Sequence, residues 1–391
     1  MLNFEFISPT KFAFGKNAEE RIGELAAEHG KKALVHYDMG TFVKDSGILD
    51  RVIKSLNAAG VKTVELGGVQ PNPRDTKVYE AIELCRKENV DVIVAVGGGS
   101  TIDSCKATSL GVKYDGDFWD FYSGKATPTE SLPIGVVLTI PAAGSEDSNG
   151  SVITKEEGML KRACDCDIIR PKFAALNPEL TYTLPAFQTA CGAADIMAHV
   201  MERYFTNTTG VDFTDRMCEA TLQSVMHSAR ILMKDDKNYD ARADIMWAGM
   251  VAHNNILGVG REQDWSSHLI QHELSGMYDI AHGAGLAVIF PAFLRYQYKH
   301  NVMRVAQFAN RVFGVSMDFE NPERTAIEGI DRLEAFFREI GLPTTFKELG
   351  AKEEDIPAMA AKCNTNNGEL VGYFNPLSKK QVEEVYKLAC K

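Results

Sequence analysis

The segment Asp91–Ser100, DVIVAVGGGS, constrains the fold of this chain more than any other. A short apolar run enters three consecutive glycines and continues into an apparent helix, Thr101–Leu110. A strand without polar alternation is buried on both faces, and such strands belong to parallel sheets covered by helices. The pattern recurs around it. Lys32–Tyr37 precedes a helical stretch through Ala58, with Ile48, Val52, Ile53 and Leu56 at helical spacing. Lys62–Leu66 leads through Gln70-Pro71-Asn72-Pro73 into a helix over Thr76–Glu88, and Pro133–Ile140 meets a second glycine-containing turn. Strands alternating with helices predict an α/β domain.

From about Leu184 the periodicity becomes helical over long windows: Phe213–Lys234, Arg242–Leu257 and Pro322–Ile340. The last helix opens on a Ser378…Gln381 capping box and carries Val382, Val385, Tyr386 and Ala389 on one face. The boundary falls near Thr183-Leu184-Pro185, where Thr183 can cap a helix and Pro185 sits in its first turn. The expected organisation is an α/β domain over residues 1–183 and an all-α domain over 184–391, with the active site in a cleft between them.

Charge and cysteine usage narrow the class. With 42 basic against 53 acidic side chains, the formal charge of −11 argues against a nucleic-acid surface. Apolar runs such as Leu132–Gly144 are broken by Pro and Gly and fall short of the ~20 residues a membrane span needs. The N-terminus lacks the basic-then-apolar layout of a secretory signal. Eight cysteines without a Cys-x-x-Cys pairing suit buried or free thiols of a reducing cytoplasm. A cytoplasmic enzyme is expected, with neither a membrane nor a nucleic-acid partner.

Glycines at 97–99 let the backbone approach an anion, and the N–H groups of the following helix point toward it. Ser100 would cap that helix or donate to a phosphate oxygen. An unliganded tight turn explains the glycines equally well. The segment is also not Gly-x-Gly-x-x-Gly, and Asp115, Asp117 and Asp120, about 20 positions on, follow no apolar strand. Asp38, directly after the Lys32–Tyr37 strand, is the better reader of ribose hydroxyls, and its carboxylate would repel a 2′-phosphate.

In the helical half, Asp195 and His199 are four apart, so both emerge from one helix face. His268 and His272 repeat the spacing, and His282 follows once Gly276 has let the chain turn. Their neighbours are apolar, and buried imidazoles and carboxylates need partners, which a shared cation provides. One carboxylate with three imidazoles suits Fe²⁺ or Zn²⁺. The other histidines, His29, His36, His227, His253 and His300, show no such pairing and are assigned to packing or surface.

Taken together, GGGSTID, AAGSED, GAADIMAH and SSHLIQHELSGMYDIAHGAGLAV resemble the iron-containing (group III) alcohol dehydrogenases, in the branch of butanol dehydrogenases and aldehyde reductases. The likeness runs along nearly the whole chain from Ser8-Pro9-Thr10, and the histidine block is its most specific part. The resemblance implies a dehydroquinate synthase-like architecture: a dinucleotide-binding α/β domain followed by an all-α metal-binding domain. It implies Asp195, His199, His268 and His282 as ligands of iron, with zinc as the alternative. His272 matches a histidine near the nicotinamide and substrate. Gly98, Gly99, Ser100 and Asp103 would hold the pyrophosphate region, Thr139 and Ser145 would line the cofactor, and Lys161 would contact it. Homodimers through the N-terminal region are common in this family, and the β-like LNFEFI and KFAFG segments would supply an edge.

Two departures stand out. Many members carry Gly-Gly-Gly-Ser after the first parallel strand, where this chain has Asp38-Met39-Gly40-Thr41, which favours NADH over NADPH. The second glycine turn reads Ala142-Ala143-Gly144-Ser145-Glu146, without the small hydroxyl residue often found before its glycine. The implied reaction is reversible hydride transfer between NAD(P) and a primary alcohol or aldehyde. A metallohydrolase or lyase with a phosphate-binding glycine turn, and a dinucleotide sensor with structural histidines, are the alternatives.

Overall fold

In the computed structural model, which describes residues 1–391, the apolar runs become one wholly parallel sheet. Its strands are β1 (Lys11–Phe14), β2 (Lys32–Asp38), β3 (Lys62–Val69), β4 (Val92–Gly98), β5 (Ile134–Ile140) and β8 (Phe173–Leu176). Between the last two lies a separate antiparallel hairpin, β6 (Gly150–Lys155) and β7 (Leu160–Asp165). The sheet order is β1-β8-β5-β4-β2-β3. All seven residues of β4 are buried, whereas the edge strand β3 is buried only at Val69.

Val92, Val94 and Val96 pack with Ile22, Leu25, Val52 and Leu56 from the helices Ile22–Ala27 and Ile48–Ala58. By strand alternation Ile93 and Ala95, also fully buried, face the other side. The helices Asp75–Glu88 and Gly99–Val112 form a second cluster through Val78, Ile82, Ala107 and Leu110. From β2 the chain steps outward to β3 and returns on the opposite side as β4, so the strand order reverses between β2 and β4. Tyr37 is in register with Val96, which brings Asp38 and Gly97 to the carboxyl ends of neighbouring strands. Open α/β sheets bind ligands at such a reversal.

The sheet and hairpin belong to one compact unit, Ile7–Leu184; the other comprises Pro185–Lys391 together with Met1–Phe6. The helical unit is built on Ala186–Tyr204, Asp212–Leu232, Tyr239–His253, Ser266–Tyr278, His282–Gln297, Val302–Phe313, Pro322–Glu339 and Lys379–Ala389. Its single core includes Ile196, Leu222, Leu274, Phe290, Phe308 and Phe337. Both halves of the Ser378–Gln381 capping box form, and Val382, Val385, Tyr386 and Ala389 are buried as their spacing predicts.

Three local expectations change. Pro185 is the residue before the helix Ala186–Tyr204, with extended backbone at ψ 146°, and no side chain caps that helix, so Thr183 does not serve there. LNFEFI forms no strand. Met1–Phe6, expected in the α/β domain, instead lie with the helical unit, where the Leu2 N–H donates to the Gly260 carbonyl at 2.8 Å and the Met1 ammonium to the Thr209 carbonyl at 3.0 Å. All eight cysteines are free thiols. No helix is long and apolar enough to cross a membrane.

Candidate metal centre and nucleotide turn

Three helices build the histidine site. Ala186–Tyr204 is buried from Thr189 to its end and presents Asp195 and His199 one turn apart. Ser266–Tyr278 presents His268 and His272, and His282 is the first residue of His282–Gln297. The chain reverses between the latter two helices at Asp279, whose φ of 52° is left-handed; Gly276, expected to make that turn, lies inside the helix. The helix begun by His282 approaches Ala186–Tyr204 closely because Gly283 has no side chain: a Cβ there would stand 2.0 Å from the Cys191 carbonyl oxygen.

Asp195 Oδ1 stands at the centre, 3.5 Å from His199 Nδ1, 3.8 Å from His268 Nε2 and 3.7 Å from His282 Nε2. The ligand atoms of Asp195, His268 and His282 all lie within 4.8 Å of one another, with His199 beside them, its ring 4.6 Å from that of His268. Separations of 3.5–3.8 Å are too long for hydrogen bonds. They are close to the roughly 3.4 Å between neighbouring ligands that each sit about 2.0–2.2 Å from one tetrahedral cation. Asp195 Oδ1, His199 Nδ1 and His268 Nε2 are buried without a hydrogen-bond partner. Leaving such atoms unpaired costs about 1–3 kcal/mol each, so this donor set fits a divalent metal.

Their environment sets each imidazole differently. Burial, with His253 and His268 nearby, pushes His199 well below the usual histidine range. Burial also lowers His268, but the Asp195 and Glu202 carboxylates more than offset it, so its pKa is raised. His272 is buried, with its ring 5.6 Å from that of His282, and is not among the converging ligand atoms. His253, assigned to packing or surface, packs its ring against that of His199 at 4.1 Å with the planes tilted by 49°; Trp265 closes the same wall, 5.9 Å from His199 and 5.6 Å from His253.

In the α/β unit the glycine turn is shaped by contact. A Cβ on Gly98 would meet Ile140 Cβ at 2.9 Å, and one on Gly99 would meet Ala143 Cβ at 3.0 Å. Gly98 itself precedes the helix Gly99–Val112, which has no side-chain cap and no acid in its first turn. Ser100 is therefore inside the helix and does not cap it. Asp38 Oδ1 accepts the Gly40 N–H at 3.0 Å, and burial raises its carboxyl above the usual range. Thr139 Oγ1 is buried without a partner, and Lys161 Nζ donates to Asn72 Oδ1 at 2.9 Å.

Asp103 and Ser145 face each other. Asp103 Oδ1 accepts from Ser145 Oγ at 2.7 Å, and Oδ2 accepts the Val152 N–H at 2.9 Å. One turn further, the fully buried Lys106 donates to Ser145 Oγ (2.9 Å), the Ser148 carbonyl (2.9 Å) and hydroxyl (3.1 Å), and the Gly150 carbonyl (2.8 Å). Burial lowers its ammonium to about 8, which leaves it a cation at neutral pH. Asp103 and Lys106 thus tie residues 145–152 to the helix that follows the glycines.

Residues 9–178 match the family model for iron-containing alcohol dehydrogenase, and residues 189–390 match its companion, Fe-containing alcohol dehydrogenase family, C-terminal. The chain belongs to the iron-containing alcohol dehydrogenase family. It is 40% identical over 387 residues to the probable NADH-dependent butanol dehydrogenase 1 of Bacillus subtilis (strain 168), covering 99% of each chain. It is 32% identical over 392 residues to the NADPH-dependent aldehyde reductase YqhD of Escherichia coli (strain K12), covering 100% of each. The crystal structure of NADH-dependent butanol dehydrogenase A from Thermotoga maritima superposes with a TM-score of 0.96 at 36% identity, over 100% of this chain and 99% of that one. Membership of this family makes the chain an oxidoreductase and sets aside the metallohydrolase or lyase reading.

Two groups of this dehydrogenase that the histidine pattern did not single out lie directly behind its imidazoles. Glu202 accepts from His268 Nδ1 at 2.8 Å. Gln271 Oε1 accepts from His282 Nδ1, and its amide is fixed by donation to Ser275 Oγ at 2.7 Å. Glu202 is seven residues after Asp195 and Gln271 three after His268, on the same helical faces, but polar residues at such spacing ordinarily mark a solvated face and so did not stand out.

Proposed function

We propose that this dehydrogenase transfers a hydride reversibly between a nicotinamide coenzyme and a primary alcohol or aldehyde. Asp195, His199, His268 and His282 would hold Fe²⁺ or Zn²⁺, and the observation that carries this reading is Asp195 Oδ1, buried and unpaired among three imidazoles. When bound, such an ion supplies Lewis acidity toward a substrate oxygen. His272 would relay the hydroxyl proton. Backbone N–H groups at Gly98, Gly99 and Ser100 would hold the pyrophosphate at the open helix start, and the unpaired Thr139 hydroxyl and Lys161 would line the cofactor. Asp103 and Ser145, whose polar atoms bind each other, would position the turn. Anaerobic purification, metal analysis and a coenzyme assay over a short aldehyde series test the reading; turnover by metal-free protein overturns it.

Coenzyme choice rests on Asp38 at the carboxyl end of β2. Its carboxylate would accept ribose hydroxyls of NADH and repel the 2′-phosphate of NADPH. Because juxtaposed like charges are worth a few kcal/mol, Asp38→Gly should move the NADPH/NADH ratio of kcat/KM upward by about 10–100-fold. A wild-type enzyme that already prefers NADPH strongly would contradict this role.

A homodimer belongs to the same proposal. KFAF forms β1, the terminal strand of the sheet, and Phe14 on it is 43% exposed. A terminal strand that carries an exposed aromatic side chain is the surface a second copy would cover. Sedimentation as a monomer at micromolar concentration would remove the dimer from the proposal.

A further inference from the structure

Both partnered imidazoles at the metal centre are held by their Nδ1 atoms, but by different chemistry. Behind His282 stands a neutral amide oxygen of Gln271. Behind His268 stands a carboxylate. One oxygen of Glu202 accepts twice from the same residue, from His268 Nδ1 at 2.8 Å and from the His268 backbone N–H at 3.0 Å. The Glu202 side chain has no solvent exposure, so neither bond competes with water.

Because the same Glu202 oxygen already accepts the His268 backbone N–H, it serves as an acceptor toward the ring too, which puts the proton of His268 on Nδ1 and the lone pair on Nε2. That Nε2 is the buried, unpaired atom 3.8 Å from Asp195 Oδ1. The double contact also fixes the ring against its own backbone, which a single side-chain bond would not. Glu202 shares its helix with Asp195 and His199, so one helix places two candidate ligands and orients a third that another helix carries.

We infer that Glu202 is a positioning residue for metal binding: its charge sets the tautomer of His268, aims Nε2 and strengthens it as a donor. The inference rests on the proposed assignment of His268 as a ligand. Carboxylates behind metal-bound histidines raise ligand basicity, and their loss weakens metal binding by about 10–100-fold.

The test is competition of the full-length, metal-stripped protein with a chelating indicator for Zn²⁺ and Co²⁺, with visible absorption of the Co²⁺-loaded form as a second readout. Glu202→Leu should weaken metal binding by about 10–100-fold, and Glu202→Gln, which keeps an acceptor but not the charge, by about tenfold, each with an altered Co²⁺ spectrum. Leu222→Ala, a fully buried core position on Asp212–Leu232, controls for destabilisation: it should lower Tm and leave both readouts at wild-type values. If Glu202→Leu does not fold, the near-isosteric Gln variant decides. Wild-type affinity and spectrum in a folded Glu202 variant overturn the inference while the metal reading stands. Failure of the wild type itself to bind either ion overturns both.

Discussion

Asp195→Ala is expected to lose bound metal and turnover together, with kcat/KM for aldehyde reduction falling by at least about a thousandfold, equivalent to roughly 4 kcal/mol of transition-state stabilisation. Asp195 is the only carboxylate in the converging group, and its Oδ1 is the atom around which three imidazoles stand at 3.5–3.8 Å. The metal-free fold should not suffer equally. Alanine is the strongest helix former, and the change removes a buried oxygen that has no hydrogen-bond partner. The metal-stripped variant should therefore melt at or above the metal-stripped wild type. Adding Zn²⁺ should raise the Tm of the wild type by mass action and leave the variant unmoved. Stoichiometric metal in the purified variant, or near-normal turnover, would remove Asp195 from the ligand set.

What could be anticipated from residues alone follows a physical pattern. The strands of the parallel sheet were legible because burial on both faces leaves an unbroken apolar run, and all seven residues of β4 are buried. Asp195 and His199 were legible because ionisable groups at helical spacing in an apolar setting are rare enough to notice. Glu202 and Lys106 were not, because a glutamate or lysine on a helix ordinarily marks a solvated face. Only the fold reveals that each is buried against specific acceptors or donors. The hairpin of β6 and β7 was hidden by its charged tip, Glu156-Glu157-Gly158, where Gly158 takes a left-handed φ of 82°. His253 has no sequence neighbour that marks it, since its partner His199 lies on another helix. Turns were the weakest ground: Asp279, not Gly276, adopts the left-handed conformation, because the local reversal depends on where the two flanking helices pack.

Lys106→Met should destabilise the α/β unit by about 3–5 kcal/mol, because several buried acceptors lose a charged donor at once. Methionine retains much of the stem's bulk, so the loss isolates the ammonium group. Four acceptors at 2.8–3.1 Å would lose their donor, among them the buried carbonyl of Ser148. The Asp103 carboxylate would lose its nearby cation, which now draws its raised carboxyl downward. The consequence for function is directional. Residues 145–152 would be held to the helix Gly99–Val112 by Asp103 alone, and Ala143, which now packs against Gly99, sits just ahead of that segment. NADH affinity should fall, read as quenching of bound-nicotinamide fluorescence, while metal content measured on the same sample stays at the wild-type level. Adding Asp103→Asn to Lys106→Met should recover part of the stability, because it removes the uncompensated charge. A double-mutant cycle would then give a coupling of about 1 kcal/mol or more. Strict additivity in that cycle, or a Lys106→Met protein as stable as wild type with unchanged NADH binding, would show that the ammonium does not hold the turn.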